Sequence, residues 1–464
     1  MSDSKGYLLR GGVLLTQEAA RPVLAGDLLV TKGRIQALGA VPPEAVPAGV
    51  QVLSAHGCAV LPGLVQGHVH LCQTLCRGAA DDLPLLAWLR ERLFPYEAAL
   101  SEDDITLAAQ LGAAELLLSG TTAILDMGTV HHQDALAAAV AATGLRATIG
   151  KAMMDLTTAV PPRLRETTAQ SLADSDALCQ RWHGRENGRI RYAYAPRFVL
   201  SCTDRLLGEV GERVGARGPA PAPGRDPGRD PGPRIHTHAA EQLEEVELVR
   251  SRFAAGNVEA LARLGIHGHR VTLAHCVHVG APERQLLAAH GTHVAHCPSS
   301  NLKLGSGLAP VVELLQAGVN VALGADGAPC NNRLDGFTEL RLAALLQKGR
   351  LGPDVLPAAR ALELATLGGA RALGLHGELG SLEIGKRADI TVVDLTGAHV
   401  LPVHSPISAV VYAAQAADVR YVLVDGQLLV ERGQLTARTG LDVARLRALA
   451  GERVPPLLRR AGLA

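Results

Sequence analysis

His68 and His70 flank a single valine directly after the apolar run Ala59-Val60-Leu61-Pro62-Gly63-Leu64-Val65. Side chains two apart on a strand share a face, so both imidazoles can reach one metal ion from a strand end. Three more groups of metal-binding type each close an apolar run. They are His236-Thr237-His238 with Glu241, His275 after Val271-Thr272-Leu273-Ala274, and Asp326 after residues 319–325. Imidazole and carboxylate donors without thiolate suit zinc, iron(II) or manganese(II); zinc is the first expectation, because hydrolysis needs no redox change. Three His and one Asp leave a coordination position for water, whose pKa a metal lowers to about 7. Asp326 is placed to accept that water's proton. Glu241, just past His238, is read as a proton shuttle. The plainer reading of Glu241 is an acid stabilised by a helix N-terminus. His275 is expected either to stabilise developing negative charge or to join the metal shell.

Candidate ligands spread over about 260 residues, each at a strand end, call for a scaffold that gathers strand ends at one mouth. Residues 62–378 alternate strand-like and helix-like stretches. Ser101-Glu102-Asp103-Asp104 marks a helix start with acids near the dipole, leading a helical apolar pattern over 105–118. Residues 121–126, 145–150 and 190–195 read as successive strands. Repeated βα units imply a parallel sheet, and about eight of them imply closure into a barrel. Residues 6–60 and 380–432 share another texture, short β-runs punctuated by turn signals such as Lys32-Gly33, Gly39 and Gly385-Lys386. The two ends are expected to pair into one small β-domain. Residues 217–234 are Pro- and Gly-rich, and are expected to form a mobile, functionally neutral insertion on the face away from the site.

Composition narrows the partners. The 464 residues are 47% hydrophobic, with 45 basic and 45 acidic side chains and a formal net charge of zero. That balance offers no electrostatic reason to expect nucleic acid or anionic lipid. The start opens no signal peptide, and no run of about 18 apolar residues is long enough to span a bilayer. Eight scattered cysteines without a CxxC motif read as reduced thiols of a cytoplasmic protein. Cys72 and Cys76 are expected to pack rather than react.

Several segments together resemble the amidohydrolase superfamily: Leu61-Pro62-Gly63-Leu64-Val65-Gln66-Gly67-His68-Val69-His70, the His-x-His-x-x-Glu of 236–241, Leu273-Ala274-His275-Cys276, and Leu323-Gly324-Ala325-Asp326-Gly327. The resemblance implies an α/β fold, a (β/α)8 TIM-like barrel over 62–378. A small β-sandwich domain is built from 1–61 and from 379–464, the latter ending in a helix. Binuclear members often carry a carboxylated lysine at the end of strand four. Here that strand ends Tyr194-Ala195-Pro196-Arg197-Phe198, and Lys151 on the preceding strand is read as structural or pocket-lining. One ion is therefore expected, held by His68, His70, His238 and Asp326, with His275 beside it.

Within the superfamily, Ala79-Ala80-Asp81-Asp82-Leu83-Pro84-Leu85-Leu86-Ala87-Trp88-Leu89 is similar to deaminases of S-adenosylhomocysteine, methylthioadenosine and 5′-deoxyadenosine. So is Gly327-Ala328-Pro329-Cys330-Asn331-Asn332-Arg333-Leu334-Asp335. The resemblance puts Trp88 in the pocket wall, with Leu86 where some relatives carry an acid for ribose hydroxyls. Pro196-Arg197-Phe198-Val199-Leu200-Ser201-Cys202 resembles the guanine deaminase motif, implying Arg197 on a purine carbonyl and Phe198 against the ring. Gln73 matches a guanine-contacting glutamine of that branch. Asn301, in His296-Cys297-Pro298-Ser299-Ser300-Asn301, is a further candidate substrate contact or a turn cap. His131 and His132 read as loop residues.

The expectation is a zinc-dependent hydrolytic deaminase of an aminopurine-type ring, adenine-type 5′-deoxynucleosides first and guanine second. A metal-held hydroxide would attack the amino-bearing carbon, and ammonia would leave. An s-triazine aminohydrolase or chlorohydrolase and a cyclic amide hydrolase are the alternatives, and a non-catalytic binding protein is the rival from another class. The partner is a small heteroaromatic molecule, and family analogy implies a homo-oligomer.

Overall fold

The computed structural model describes residues 5–156, 160–215 and 232–463. Eight strands form a closed ring: β1 (Leu64–His70), β2 (Thr121–Met127), β3 (Arg146–Gly150), β4 (Ile190–Pro196), β5 (Arg234–Ala239), β6 (Val271–His275), β7 (His293–His296) and β8 (Val321–Leu323). Each pairs in parallel with the next. Leu323 then pairs with Gln66, closing β8 onto β1. Both faces of these strands are covered, which is why they read as nearly continuous apolar runs rather than alternating ones. Beyond β8 a two-residue strand pairs Asp326 with Val69 and Gly327 with His70. That short ladder sets the carboxylate beside the His-x-His.

The expected helix spans Glu102–Leu118 and opens with a capping box: Ser101 N–H donates to Asp104 Oδ2 at 3.0 Å, and Asp104 N–H to Ser101 Oγ at 3.3 Å. The same Asp104 accepts Arg460 Nη2 at 2.6 Å, fastening the C-terminal helix Val443–Ala461 to the barrel.

Both chain ends join one nine-stranded sheet. Gly6–Leu15 pairs antiparallel with Val23–Thr31 and parallel with Gln51–Ser54 and Cys58–Pro62. Cys58–Pro62 pairs antiparallel with Ile390–Asp394, which continues into Val419–Val424 and Gln427–Glu431. Residues on either side of Gly11 belong to the single strand Gly6–Leu15. The register shifts between Leu9 and Gly12, where Gly11 adopts φ 77°, so a bulge rather than a turn separates them. Ile35 near one edge shares a core with Leu423 and Leu428 from the other, so the sheet curls over its own apolar centre. A buried ion pair ties this domain to the barrel floor: Arg146, opening β3, donates Nε and Nη2 to Asp389 at 2.7 and 2.9 Å.

Except for residues 232–234, the insertion expected at 217–234 lies outside the described residues, and Arg234 already begins β5. Among the described residues no helix is long and apolar enough to cross a membrane.

Candidate active site and metal centre

The C-terminal ends of β1, β5 and β6 converge with Asp326. One donor atom from each of His68, His70, His238 and Asp326 lies within 4.8 Å of the others. Asp326 Oδ1 stands 3.2 Å from His68 Nε2 and 3.4 Å from His70 Nε2, and the Nε2 atoms of His70 and His238 are 3.2 Å apart. The opposite ring nitrogens are occupied. His70 Nδ1 donates to the Met127 carbonyl at 2.6 Å and His238 Nδ1 to the Arg197 carbonyl at 2.6 Å. His68 Nδ1 lies 2.8 Å from His236 Nε2. A carbonyl only accepts, so the proton sits on Nδ1 of His70 and His238 and their Nε2 lone pairs face the centre. His68 Nε2 is buried with no hydrogen-bond partner. Imidazoles turned this way, aimed with a carboxylate at one point, fit a divalent cation.

Electrostatics agree. Burial holds His68 below its ordinary pKa, His70 at about 3 and His238 well below, so these rings stay neutral, as ligands must. Burial alone would raise Asp326, but the surrounding His68, His275 and His70 imidazoles favour its carboxylate form and hold it well below the usual carboxylate range. Asp326 is the anion of the centre.

Glu241 lies in the loop after β5, before the helix Leu243–Phe253. Its carboxylate does not cap that helix. Oε2 stands 3.5 Å from His275 Nε2, and Oε1 is buried without a partner. Glu245 Oε2 accepts the Glu241 N–H at 2.8 Å, fixing the loop. Burial, then the neighbouring Asp326 and Glu245, push Glu241 well above its ordinary pKa. Two carboxyl groups on one cavity are thus pushed in opposite directions. His275 Nε2 is 3.8 Å from Asp326 Oδ2. Ala240, His275, Cys276 and Asp326 all take positive φ (51°, 71°, 47° and 61°), a concentration of backbone strain around these side chains.

His70, His238, Glu241, His275 and Asp326 line a cavity of about 30 Å³ together with Gln73, Leu85, Trp88, Leu89, Leu93, Arg197, Phe198 and Leu304. That volume suits a water or two. Residues Leu85, Trp88, Leu89 and Leu93 cover one side of the cavity, and this cover contains a π-helical turn at Leu89–Leu93.

Four of the five sequence-derived substrate contacts reach this wall: Gln73, Trp88, Arg197 and Phe198. The Trp88 indole nitrogen and Gln73 Oε1 are buried without partners. Asn301 is not on the wall; its Oδ1 accepts from His275 Nδ1 at 2.9 Å, so it orients that imidazole. Arg197 is anchored. Its Nη1 and Nη2 donate to Glu97 at 2.7 and 3.1 Å, and Gln73 Nε2 donates to the same carboxylate at 3.1 Å. Sequence reading missed Glu97. The signal was a lone acid in Phe94-Pro95-Tyr96-Glu97, embedded in an otherwise apolar helix. Also missed was His236 as the partner of His68. Lys151 pairs with Glu166 at 2.6 Å, away from the wall, and His131 and His132 lie in the loop before Gln133–Thr143. Burial, then the charge of Glu97, pushes the Cys76 thiol up to about 12 and Cys72 well above its usual value, so neither is a thiolate.

Comparison with known proteins accords with this arrangement. The chain is 41% identical over 419 residues to the 5-methylthioadenosine/S-adenosylhomocysteine deaminase of Moorella thermoacetica, covering 89% of this chain and 92% of that one. It is 35% identical over 426 residues to the 5′-deoxyadenosine deaminase of Methanosarcina acetivorans, covering 91% and 92%. The crystal structure of an adenosine deaminase from Xanthomonas campestris with bound zinc superposes with a TM-score of 0.88 at 32% identity over 99% of each chain. Residues 59–429 match the Amidohydrolase family, and the chain belongs to that family.

Proposed function

We propose that this protein is a zinc-dependent deaminase that removes the 6-amino group of adenine-type nucleosides, those lacking the 5′-hydroxyl foremost. The observation that carries the reading is the Glu241 carboxyl, beside His275, on the same small cavity as four clustered donor atoms of metal-binding type. Zinc held by His68, His70, His238 and Asp326 supplies Lewis acidity and an acidified water when bound; the donor set also accepts iron(II) or manganese(II).

The chain's residues divide the remaining work. Phe198, Trp88 and the leucines of the cover sandwich a flat ring. Glu241 delivers its proton to a ring nitrogen as water adds to the amino-bearing carbon, which makes that carbon a better electrophile. Asp326 takes one proton of that water and passes it to the departing amine, and the remaining hydroxyl proton returns to Glu241 as the carbonyl forms and ammonia leaves. His275, oriented by Asn301, faces the oxygen on which charge develops. Arg197 is held in place by its two bonds to Glu97, with its remaining N–H groups left for a ring acceptor.

The test is ammonia release by the zinc-loaded protein from 5′-deoxyadenosine, methylthioadenosine, S-adenosylhomocysteine, adenosine, guanine and an aminotriazine. Turnover of the adenine nucleosides is expected. Guanine turned over in their place reverses the substrate assignment, and no ammonia from any member of the panel defeats the deaminase reading.

A further inference from the structure

Asp326 does two jobs in this reading while sitting in the left-handed region, and something must hold it there. Its Oδ1 accepts from Gly327 N–H at 2.8 Å, within its own turn. Its Oδ2 accepts from Ser300 Oγ at 2.6 Å, and the carbonyl of the preceding Ala325 accepts from Asn331 Nδ2 at 2.7 Å. Both outer contacts lead to one residue. Glu339, fully buried on the helix Gly336–Leu351, accepts Ser299 N–H at 3.1 Å, Asn331 Nδ2 at 2.9 Å and the Ser299 hydroxyl. Ser299 is the chain neighbour of Ser300.

A carboxylate is an expensive way to fill a core. Burial pushes Glu339 up to about 7 even though three groups donate to it. What the position delivers is convergence: through Ser299 it sets Ser300 against one Asp326 oxygen, and through Asn331 it pins the peptide that precedes Asp326. The loops after β7 and β8 thereby become one rigid unit.

We propose that Glu339 is a positioning residue for Asp326, holding its carboxylate at the geometry needed for metal binding and proton transfer. The proposal rests on the metal-site reading above, so its test includes zinc affinity as well as turnover. Zinc dissociation constants are measured by competition with a chromogenic chelator for the whole protein and for Glu339→Gln, Asn331→Ala and Ser300→Ala, alongside kcat and KM with 5′-deoxyadenosine. Loss of such an outer partner is expected to weaken zinc or lower kcat about 10–100-fold, with KM within about threefold. Combining Ser300→Ala with Glu339→Gln is expected to cost little more than the worse single change, because both act through one path. A merely structural Glu339 lowers the melting temperature and leaves zinc affinity and kcat of the folded protein at their original values, and that result overturns the proposal. Should Glu339→Gln fail to fold, Asn331→Ala, which removes the bonds to Glu339 and the Ala325 carbonyl, and Ser300→Ala, which removes the bond to Asp326, decide it. Zinc failing to bind the unaltered protein instead overturns the site reading, and this proposal with it.

Discussion

Replacing Glu241 by Gln separates proton transfer from everything else the site does. The amide has the volume of the acid, and the contact that fixes the loop, Glu245 to the backbone N–H of residue 241, does not involve the side chain. Glu241 is not among the four clustered donor atoms, and its Oε2 stands 3.5 Å from His275 Nε2. Zinc content and fold are therefore expected to survive. What disappears is the buried proton. General acid–base participation is worth about 10²–10⁴-fold, which at about 1.36 kcal/mol per decade is about 3–5 kcal/mol of barrier. The pH profile carries a second signature. A carboxyl held above its ordinary value delivers a proton only while it has one, so activity falls as pH rises through that raised pKa. A bound divalent cation attracts the carboxylate form and draws that limb back toward neutrality. The variant is expected to lack the limb altogether. The assay is ammonia release from pH 5 to 10 at saturating 5′-deoxyadenosine, with zinc quantified in the same samples. Turnover within tenfold of the original protein, at full zinc occupancy, refutes the shuttle.

Two further changes probe the scaffold. Asp389→Ala leaves the buried guanidinium of Arg146 with its contact to the Asp425 carboxylate, 3.6 Å away; breaking a buried pair outright costs about 3–5 kcal/mol, so chemical denaturation is expected to show a loss up to that size without loss of zinc affinity in the folded protein. Gln242 latches the cover, its Oε1 accepting Leu85 N–H at 3.1 Å and its Nε2 donating to the Leu304 carbonyl at 2.8 Å. Gln242→Ala removes two hydrogen bonds worth about 1–3 kcal/mol together, so faster ligand release in stopped flow and a KM raised by about tenfold are expected, and an unchanged release rate removes the latch.

The ligands were legible because their signal is local. A strand buried on both faces is a run of apolar residues, and a histidine at the end of such a run is out of place unless it has a task; His68, His70, His238 and His275 all stand out in this way. Asp326 was legible for the same reason, although the short ladder with Val69 and His70 that sets it beside them could not be read. The partners of these groups were another matter. Asn301 carries no mark distinguishing a substrate contact from the acceptor of His275 Nδ1, since either use calls only for an amide near the strand ends, and only the fold brings residues 26 apart together. Arg197 read as a ring-recognising donor, and the counter-charge that holds it lies 100 positions away in a helix, so nothing near Arg197 announces it.

This asymmetry has a physical basis. Ligand identity is constrained by the chemistry of the metal, and few residue types satisfy it. An orienting partner needs only an acceptor of suitable height, and here a Met127 carbonyl, an Arg197 carbonyl, a His236 ring and an Asn301 amide serve the same purpose for four imidazoles. Two of those four are main-chain groups, present at every position, so no residue type announces them. The same reasoning explains Glu97: an acid buried in an apolar helix is costly alone, and is retained because Gln73 and Arg197 both donate to it. The cavity wall is thus built from a carboxylate outward, and any variant that alters ring preference through Arg197 must answer for the charge it leaves on Glu97.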